Sequence, residues 1–328
     1  MSTFKIAAVQ AAPVFMDREA TIAKACELIA RAAQGGARLV VFPEAFIPTY
    51  PDWVWHIPPG EHGMLADLYA ELLEQSVAIP DSATEELGRA AREAGVYVAI
   101  GLNERNAEAS NASLYNTLLY VDPEGNLLGK HRKLVPTAPE RMVWAQGDGS
   151  TLEVYDTPFG KLGGLICWEN YMPLARYALY AWGTQIYLAP TWDRGEPWLS
   201  TLRHIAKEGR VYVVGCSIAL RKEDIPDRFE FKAKYYAEAG EWINKGESAI
   251  VGTDGKLISG PLNAEEGILY AELDPKQMRG PKWNLDVAGH YARPDVFRLT
   301  VIKGDHPMIA VAEAPRHDSQ GETEVLES

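Results

Sequence analysis

Tyr115-Asn116-Thr117-Leu118-Leu119-Tyr120-Val121-Asp122-Pro123-Glu124-Gly125-Asn126-Leu127-Leu128-Gly129-Lys130-His131 is the stretch on which the fold turns. The apolar runs Tyr115 to Val121 and Leu127 to His131 flank five turn-forming residues, which predicts two antiparallel strands joined by a hairpin. The chain before it has a different rhythm. Phe4 to Gln10, Ala37 to Phe42 and Val96 to Gly101 read as strands, whereas Asp17 to Gln34, His62 to Ser76 and Ser82 to Ala94 carry helical spacing. Asp17 ahead of Glu19, and Asp81-Ser82 ahead of Glu85-Glu86, put capping oxygens and carboxylates where a helix start leaves N–H groups unpaired. Gly35-Gly36 and Gly95 supply the helix stops.

The same plan recurs downstream. Leu162 to Ile166, Gln185 to Ala189 and Val211 to Ser217 are apolar strands separated by helix-like Pro173 to Trp182 and Pro197 to Glu208. A second hairpin follows, with Ser248 to Val251 and Lys256 to Ser259 around Gly252-Thr253-Asp254-Gly255, and Gly267 to Leu273 is a further strand. Parallel crossovers mixed with hairpins predict an α/β fold, an α-β-β-α sandwich of two packed mixed sheets with outer helices. No linker divides residues 1–313, which are expected to form one domain. The run Arg316-His317-Asp318-Ser319-Gln320-Gly321-Glu322 marks 314–328 as a polar, loosely held tail.

Composition limits the partners. Across 328 residues, 32 Lys and Arg against 45 Asp and Glu give a net charge of −13, with no long basic run to hold nucleic acid or an anionic membrane surface. Hydrophobic residues at 47% and charged residues at 23% are those of a packed globular protein rather than a disordered or collagen-like one. Met1 to Ile6 run straight into the first strand with no signal-peptide core, and no apolar stretch approaches the ~20 residues of a spanning helix. A soluble, cytoplasmic chain is expected. Three cysteines, Cys26, Cys167 and Cys216, form neither a disulfide framework nor a zinc pattern. Metal, nucleotide and dinucleotide templates are missing, so no cofactor is expected.

Three segments can carry chemistry. In Gly163-Gly164-Leu165-Ile166-Cys167-Trp168-Glu169-Asn170 a Cys stands where a strand ends and a turn begins, so its thiol can face a cleft and turn N–H groups can bind an oxyanion. Locally a buried core thiol would look the same, and that is the reading for Cys26 and Cys216. A nucleophilic thiol needs a base or a cation beside it. Val41-Phe42-Pro43-Glu44-Ala45-Phe46 offers a carboxylate among aromatics, where burial would raise its pKa, although a Glu capping a strand end would look alike. Lys130-His131-Arg132-Lys133 offers cations on alternate faces of a strand end, a pattern shared with solvated basic edges. A Cys–His pair using His204 or His290 also stays open.

Taken together, in content and order, these segments resemble the nitrilase branch of the carbon–nitrogen hydrolase superfamily. Phe-Pro-Glu44-Ala-Phe, His-Arg-Lys133-Leu-Val-Pro-Thr and Cys167-Trp-Glu-Asn correspond to that family's Glu-Lys-Cys triad, and Glu140 in Pro-Thr-Ala-Pro-Glu-Arg matches its additional carboxylate. The similarity extends through Pro173-Leu174-Ala175-Arg176, Ala189-Pro190-Thr191-Trp192-Asp193 and Gly289 to Phe297, and so covers about Phe4 to Leu299. Thr49 departs from it where many relatives have Gly, which bears on pocket shape.

The resemblance implies the same sandwich fold and hydrolysis of an organic nitrile to a carboxylic acid and ammonia. Cys167 would be the nucleophile, Glu44 the general base, Lys133 the group that stabilises the charged intermediates together with the Trp168 N–H, and Glu140 the support for Lys133. Trp168, Tyr50 and Trp192 would line the substrate pocket, with Trp53, Trp55 and Trp144 as further candidates. It also implies a homo-oligomer, dimer-based and in relatives often spiral, with Tyr177 to Trp182 and the segment after Asp224 as contacts. An amidase or carbamoylase with the same triad, and a silent scaffold that has kept the fold, are the competing readings.

Overall fold

The computed structural model describes residues 2–304, so the tail expected from residue 314 lies outside the described residues. The strands are β1 (Phe4–Gln10), β2 (Ala37–Val41), β3 (Tyr97–Arg105), β4 (Leu114–Val121), β5 (Leu127–Arg132), β6 (Tyr155–Thr157) and β7 (Gly160–Gly164). They continue as β8 (Ile186–Thr191), β9 (Tyr212–Ser217), β10 (Ala219–Arg221), β11 (Trp242–Val251), β12 (Leu257–Asn263) and β13 (Gly267–Leu273). The helices are α1 (Arg18–Gln34), α2 (His62–Glu74), α3 (Ser82–Ala94), α4 (Pro173–Ala181), α5 (Glu196–Gly209) and α6 (Glu230–Tyr235).

Local chemistry sets these limits. The Asp17 carboxylate accepts from the Ala20 N–H at 2.9 Å, and Asp81 forms a reciprocal cap with Thr84. Gly95 closes α3 in the left-handed region at φ 67°, where glycine carries no side-chain penalty. In the β4–β5 turn, Asp122 Oδ1 accepts from the N–H groups of Glu124 and Asn126, and the strands pair with Leu118 opposite His131.

Two sheets result. The first runs β13-β1-β2-β3-β4-β5, with β1, β2 and β3 parallel and the outer pairs antiparallel. The second runs β10-β11-β9-β8-β7-β6, with β7, β8 and β9 parallel and β12 pairing with β11. Alternation along each strand sorts the core into layers. Ile6, Ala8, Leu39, Val41 and Leu118 face Leu188, Val214, Cys216 and Ile250 between the sheets. On the outer face of the first sheet, Val9 and Val40 meet Ile22, Ala25 and Ile29 of α1 and Leu87 of α3. On the outer face of the second, Tyr187, Ala189 and Val213 meet Leu179 of α4 and Leu202 and Ile205 of α5. Each fully buried Leu, Ile or Val contributes roughly 1.5–3 kcal/mol, so the layers hold together without a disulfide, and all three cysteines are free.

The α-β-β-α sandwich is thus the one the sequence predicts. The strand expected over Leu162 to Ile166 stops at Gly164, because Cys167–Tyr171 forms a 3-10 turn that pulls the chain off the sheet. β6, β10 and α6 escape the sequence pattern, being too short to show a period. Among the described residues, no helix is long and apolar enough to cross a membrane.

Candidate active site

Four chain exits converge at strand ends. Beyond β2 the chain turns through Phe42-Pro43-Glu44, beyond β5 through Lys133, beyond β7 through Cys167, and beyond β8 through Trp192. The first exit depends on a missing side chain. Gly101 N donates to the Pro43 carbonyl at 3.1 Å, and a Cβ on Gly101 would collide with Pro43 O, Ala45 N and the Glu44 Cα. At the second, β5 sends Lys130 and Arg132 to Glu104 while His131 and Lys133 turn into the interior. Unusual backbone geometry accompanies these exits. Ala45, Ala138 and Cys167 take positive φ of 47°, 46° and 53°, a region that side-chain-bearing residues seldom occupy, and each stands in a turn carrying a site residue.

The side chains meet in one network. Lys133 Nζ donates to Glu44 Oε1 at 2.8 Å and to Glu140 Oε2 at 2.8 Å, with all three groups fully buried. Glu44 also accepts from Asn116 Nδ2 at 2.7 Å and, through Oε2, from the Trp192 N–H at 2.7 Å. Glu140 accepts from the Thr137 N–H at 2.7 Å and from the Tyr50 hydroxyl at 2.6 Å, and that hydroxyl accepts from Trp55 Nε1 at 3.0 Å. The Cys167 sulfur accepts from the Thr191 hydroxyl at 3.3 Å. A single buried ammonium therefore holds two carboxylates in place.

Electrostatics follow from burial and this pairing. Burial pushes the Glu44 carboxyl above the usual range, and Lys133 only partly offsets it. For Lys133, burial works to lower the pKa, but the charges of Glu44 and Glu140 outweigh it and hold the ammonium protonated. Burial and then the Glu44 charge push the Cys167 thiol well up, against Lys133 and the Thr191 hydroxyl, so the resting sulfur keeps its proton. The combination is a thiol, a carboxylate of raised basicity and a fixed cation, which suits deprotonation of the sulfur at the moment of attack.

A cavity of about 350 Å³ opens over the sulfur, lined by Tyr50, Trp55, Thr137, Glu140, Cys167, Trp168, Trp192, Asp193 and Arg194. Of the residues expected from the sequence, Cys167, Glu140, Tyr50, Trp55, Trp168 and Trp192 line it, and Lys133 and Glu44 stand behind Glu140. Trp168 forms the exposed rim with its Nε1 on Asp193 Oδ2 at 2.8 Å, and the Trp192 ring stacks on Tyr50 with centroids 4.5 Å apart. Trp53 and Trp144 do not line it. Trp53 packs on Phe15 and Phe231, and Trp144 stands behind Tyr50 with its Nε1 on Asn103. Thr49 is buried outside the lining, and its carbonyl accepts from Asn103. His204 pairs with Glu208 on α5 and His290 lies against Tyr291, so neither forms a pair with Cys167.

The carbon–nitrogen hydrolase family model matches residues 5–281. The chain belongs to the carbon–nitrogen hydrolase family. An aliphatic nitrilase of Sinorhizobium fredii is 44% identical, covering 92% of this chain and 96% of that relative. Nitrilase 2 of Arabidopsis thaliana is 42% identical over 91% of this chain and 88% of its own length. A bifunctional nitrilase/nitrile hydratase of Nicotiana tabacum is 39% identical over 94% and 88%. These relatives put the hydrolase in the nitrilase branch. Among solved structures, the Saccharomyces cerevisiae member of branch 10 of the nitrilase superfamily superimposes with a TM-score of 0.66 at 23% identity, covering 88% of this chain and 96% of that one. An amidase from Nesterenkonia does so with a TM-score of 0.64 at 21% identity, covering 86% and 94%, so the fold is shared.

Some residues of this carbon–nitrogen hydrolase site went unread in the sequence. Glu169 accepts from the Leu134 N–H and the Ile166 N–H, each at 2.7 Å, and from His131 Nε2. One buried carboxylate thereby ties the Lys133 exit to the Cys167 turn. Asn116, which orients Glu44, carried one visible signal, an amide within an otherwise apolar strand where such residues are disfavoured. Thr191 lay within the Ala189-to-Asp193 motif but was not singled out, because its contact with the sulfur exists only once β7 and β8 pair.

Proposed function

We propose that this chain is a nitrilase that converts an organic nitrile to the carboxylic acid and ammonia. The observation that carries the reading is the Glu44–Lys133–Glu140 cluster set against Cys167 under an open cavity, in a chain 44% identical to an aliphatic nitrilase. Glu44 accepts the Cys167 proton, and the thiolate adds to the nitrile carbon to give a thioimidate. Water adds, the tetrahedral species expels ammonia, and a second water hydrolyses the remaining thioester to acid and free thiol. Lys133 and the Trp168 N–H offset the charge that develops at each addition, an effect worth several kcal/mol in a water-poor site. Glu140 fixes Lys133 and lines the cavity, where it positions substrate or water. Trp168, Tyr50 and Trp192 shape the wall for an apolar nitrile, and the scheme calls for no metal or organic cofactor.

Loss of sulfur in place of ammonia from the tetrahedral species would release the amide, and a relative named as both nitrilase and nitrile hydratase favours some amide product. The reading extends to one cytoplasmic domain over residues 1–313 that assembles as a homo-oligomer. Leu174, Tyr291, Val296 and Phe297 expose apolar surface around a groove of about 600 Å³ beside α4, which a second copy would cover.

A panel of aromatic and aliphatic nitriles with their matching amides tests the activity. Acid plus ammonia from nitriles, absent from folded Cys167→Ala protein, is the expected result. Turnover of amides alone would move the chain to the amidase branch, and turnover of nitriles by the variant would refute the nucleophile.

A further inference from the structure

Thr191 is the last residue of β8 and is 1% exposed. Its Oγ1 accepts from the Asp193 N–H at 2.8 Å and lies 3.3 Å from Cys167 Sγ. A hydroxyl has one proton to give. The Asp193 amide takes one lone pair of Oγ1, which leaves the Thr191 proton available to the sulfur 3.3 Å away. Asp193 is itself held by Trp168 Nε1, and Trp168 follows Cys167 in the chain. The donor, its orienting amide and the nucleophile therefore form a closed ring of contacts at the cavity mouth.

We propose that Thr191 is a positioning residue for the thiolate, its hydroxyl donating to Sγ most strongly when the sulfur is charged. This rests on the reading of Cys167 as nucleophile. A thiol is a weak acceptor and a thiolate a strong one, so the bond tightens as the proton leaves Sγ for Glu44. It weakens while carbon is bonded to sulfur and returns when the C–S bond of the thioester breaks and the electron pair goes back to Sγ. The Thr191 proton stays on Oγ1 throughout. Because the bond favours the charged sulfur over the neutral one, it assists both attack and release and adds little to substrate binding.

Thr191→Val nearly keeps the shape and removes both the donor to Sγ and the acceptor of the Asp193 N–H, and Thr191→Ser restores both. The probe is iodoacetamide, with labelling of the Cys167 peptide followed by mass spectrometry alongside kcat and KM for a nitrile substrate. Thr191→Val is expected to label Cys167 about tenfold to a hundredfold more slowly near neutral pH, the loss of one hydrogen bond to a charged group, with kcat reduced and KM little changed. Thr191→Ser is expected to recover most of both rates. A Thr191→Val protein with an unchanged melting temperature that labels at the wild-type rate would overturn the proposal, as would a serine variant as slow as the valine one. If wild-type activity is lost out of step with labelling of the Cys167 peptide, the reading of Cys167 as nucleophile falls, and this inference with it.

Discussion

Lys133 shows how much one side chain carries. Its ammonium is shared between two carboxylates in a fully buried cluster, and charge of that kind is tolerated only while paired. Replacing it with methionine leaves Glu44 and Glu140 facing each other with no cation. Lys133→Met is predicted to lower folding stability by about 3–5 kcal/mol and activity by at least ~10²-fold, read from denaturant midpoints and kcat/KM. Glu44, already raised by burial and now without the Lys133 charge that offsets it, then takes up a proton more readily in the folded than in the unfolded chain, so the stability loss is smaller at acidic pH and grows as pH rises. A variant as stable as wild type at pH 8 would show that the cluster is not held by its charges. Cys167 illustrates the complementary point. Burial and the Glu44 charge push its thiol pKa up, so the proposed reaction calls for transfer of the proton on demand and not for a standing thiolate.

At the scale of elements, the site is made by how strands end. Gly101 in β3 lets the Pro43–Glu44 turn press against the sheet, and any side chain there would push Glu44 away from Lys133. Gly101→Ala is predicted to cut kcat/KM by ~10²-fold or more while KM changes little, since a shift of about 1 Å in a catalytic group costs that much. An alanine variant with wild-type kcat would mean that the turn has slack. Much of this scale was legible in the sequence. Caps at Asp17 and Asp81 and the Asp122–Asn126 turn fixed α1, α3 and the β4–β5 hairpin to within a residue or two, because local hydrogen bonds define them. Glu44, Lys133 and Cys167 were each ambiguous alone and became legible as candidates, with Glu140, through the ordered set of motifs that resembles the nitrilase branch, and the structure brings them together. Partners supplied across the fold were not. The Glu169 bridge, the Asn116 amide and the Thr191 hydroxyl depend on which strands pair and in what register, which periodicity along one segment does not encode. The return of β13 to pair with β1, Phe4 opposite Leu273, was hidden for the same reason.

Across the whole molecule, several carboxylates anchor the layers and make stability depend on pH. Burial alone would raise Glu104, but Arg132 and Lys130 outweigh it and hold the carboxyl below the usual range. Burial likewise opposes, and His131 with the Leu134 and Ile166 N–H groups overcomes, at Glu169. Each folded-state pKa lies below its unfolded value of about 4.3, so the stabilisation is complete above that pH and is lost as pH falls through the folded-state values. Melting temperature is predicted to drop steeply below about pH 4, and Glu104→Gln should flatten that limb. A melting temperature unchanged from pH 6 to pH 3 would contradict this. The central claim, that Cys167 bonds covalently to a nitrile carbon, is tested most directly by mass spectrometry of enzyme acid-quenched during turnover. The account predicts a Cys167 peptide heavier by the intact nitrile or by the derived acyl group, absent from Cys167→Ala. Steady turnover of a nitrile with an unmodified Cys167 peptide at every quench time, or persistence of turnover in Cys167→Ala, would contradict it.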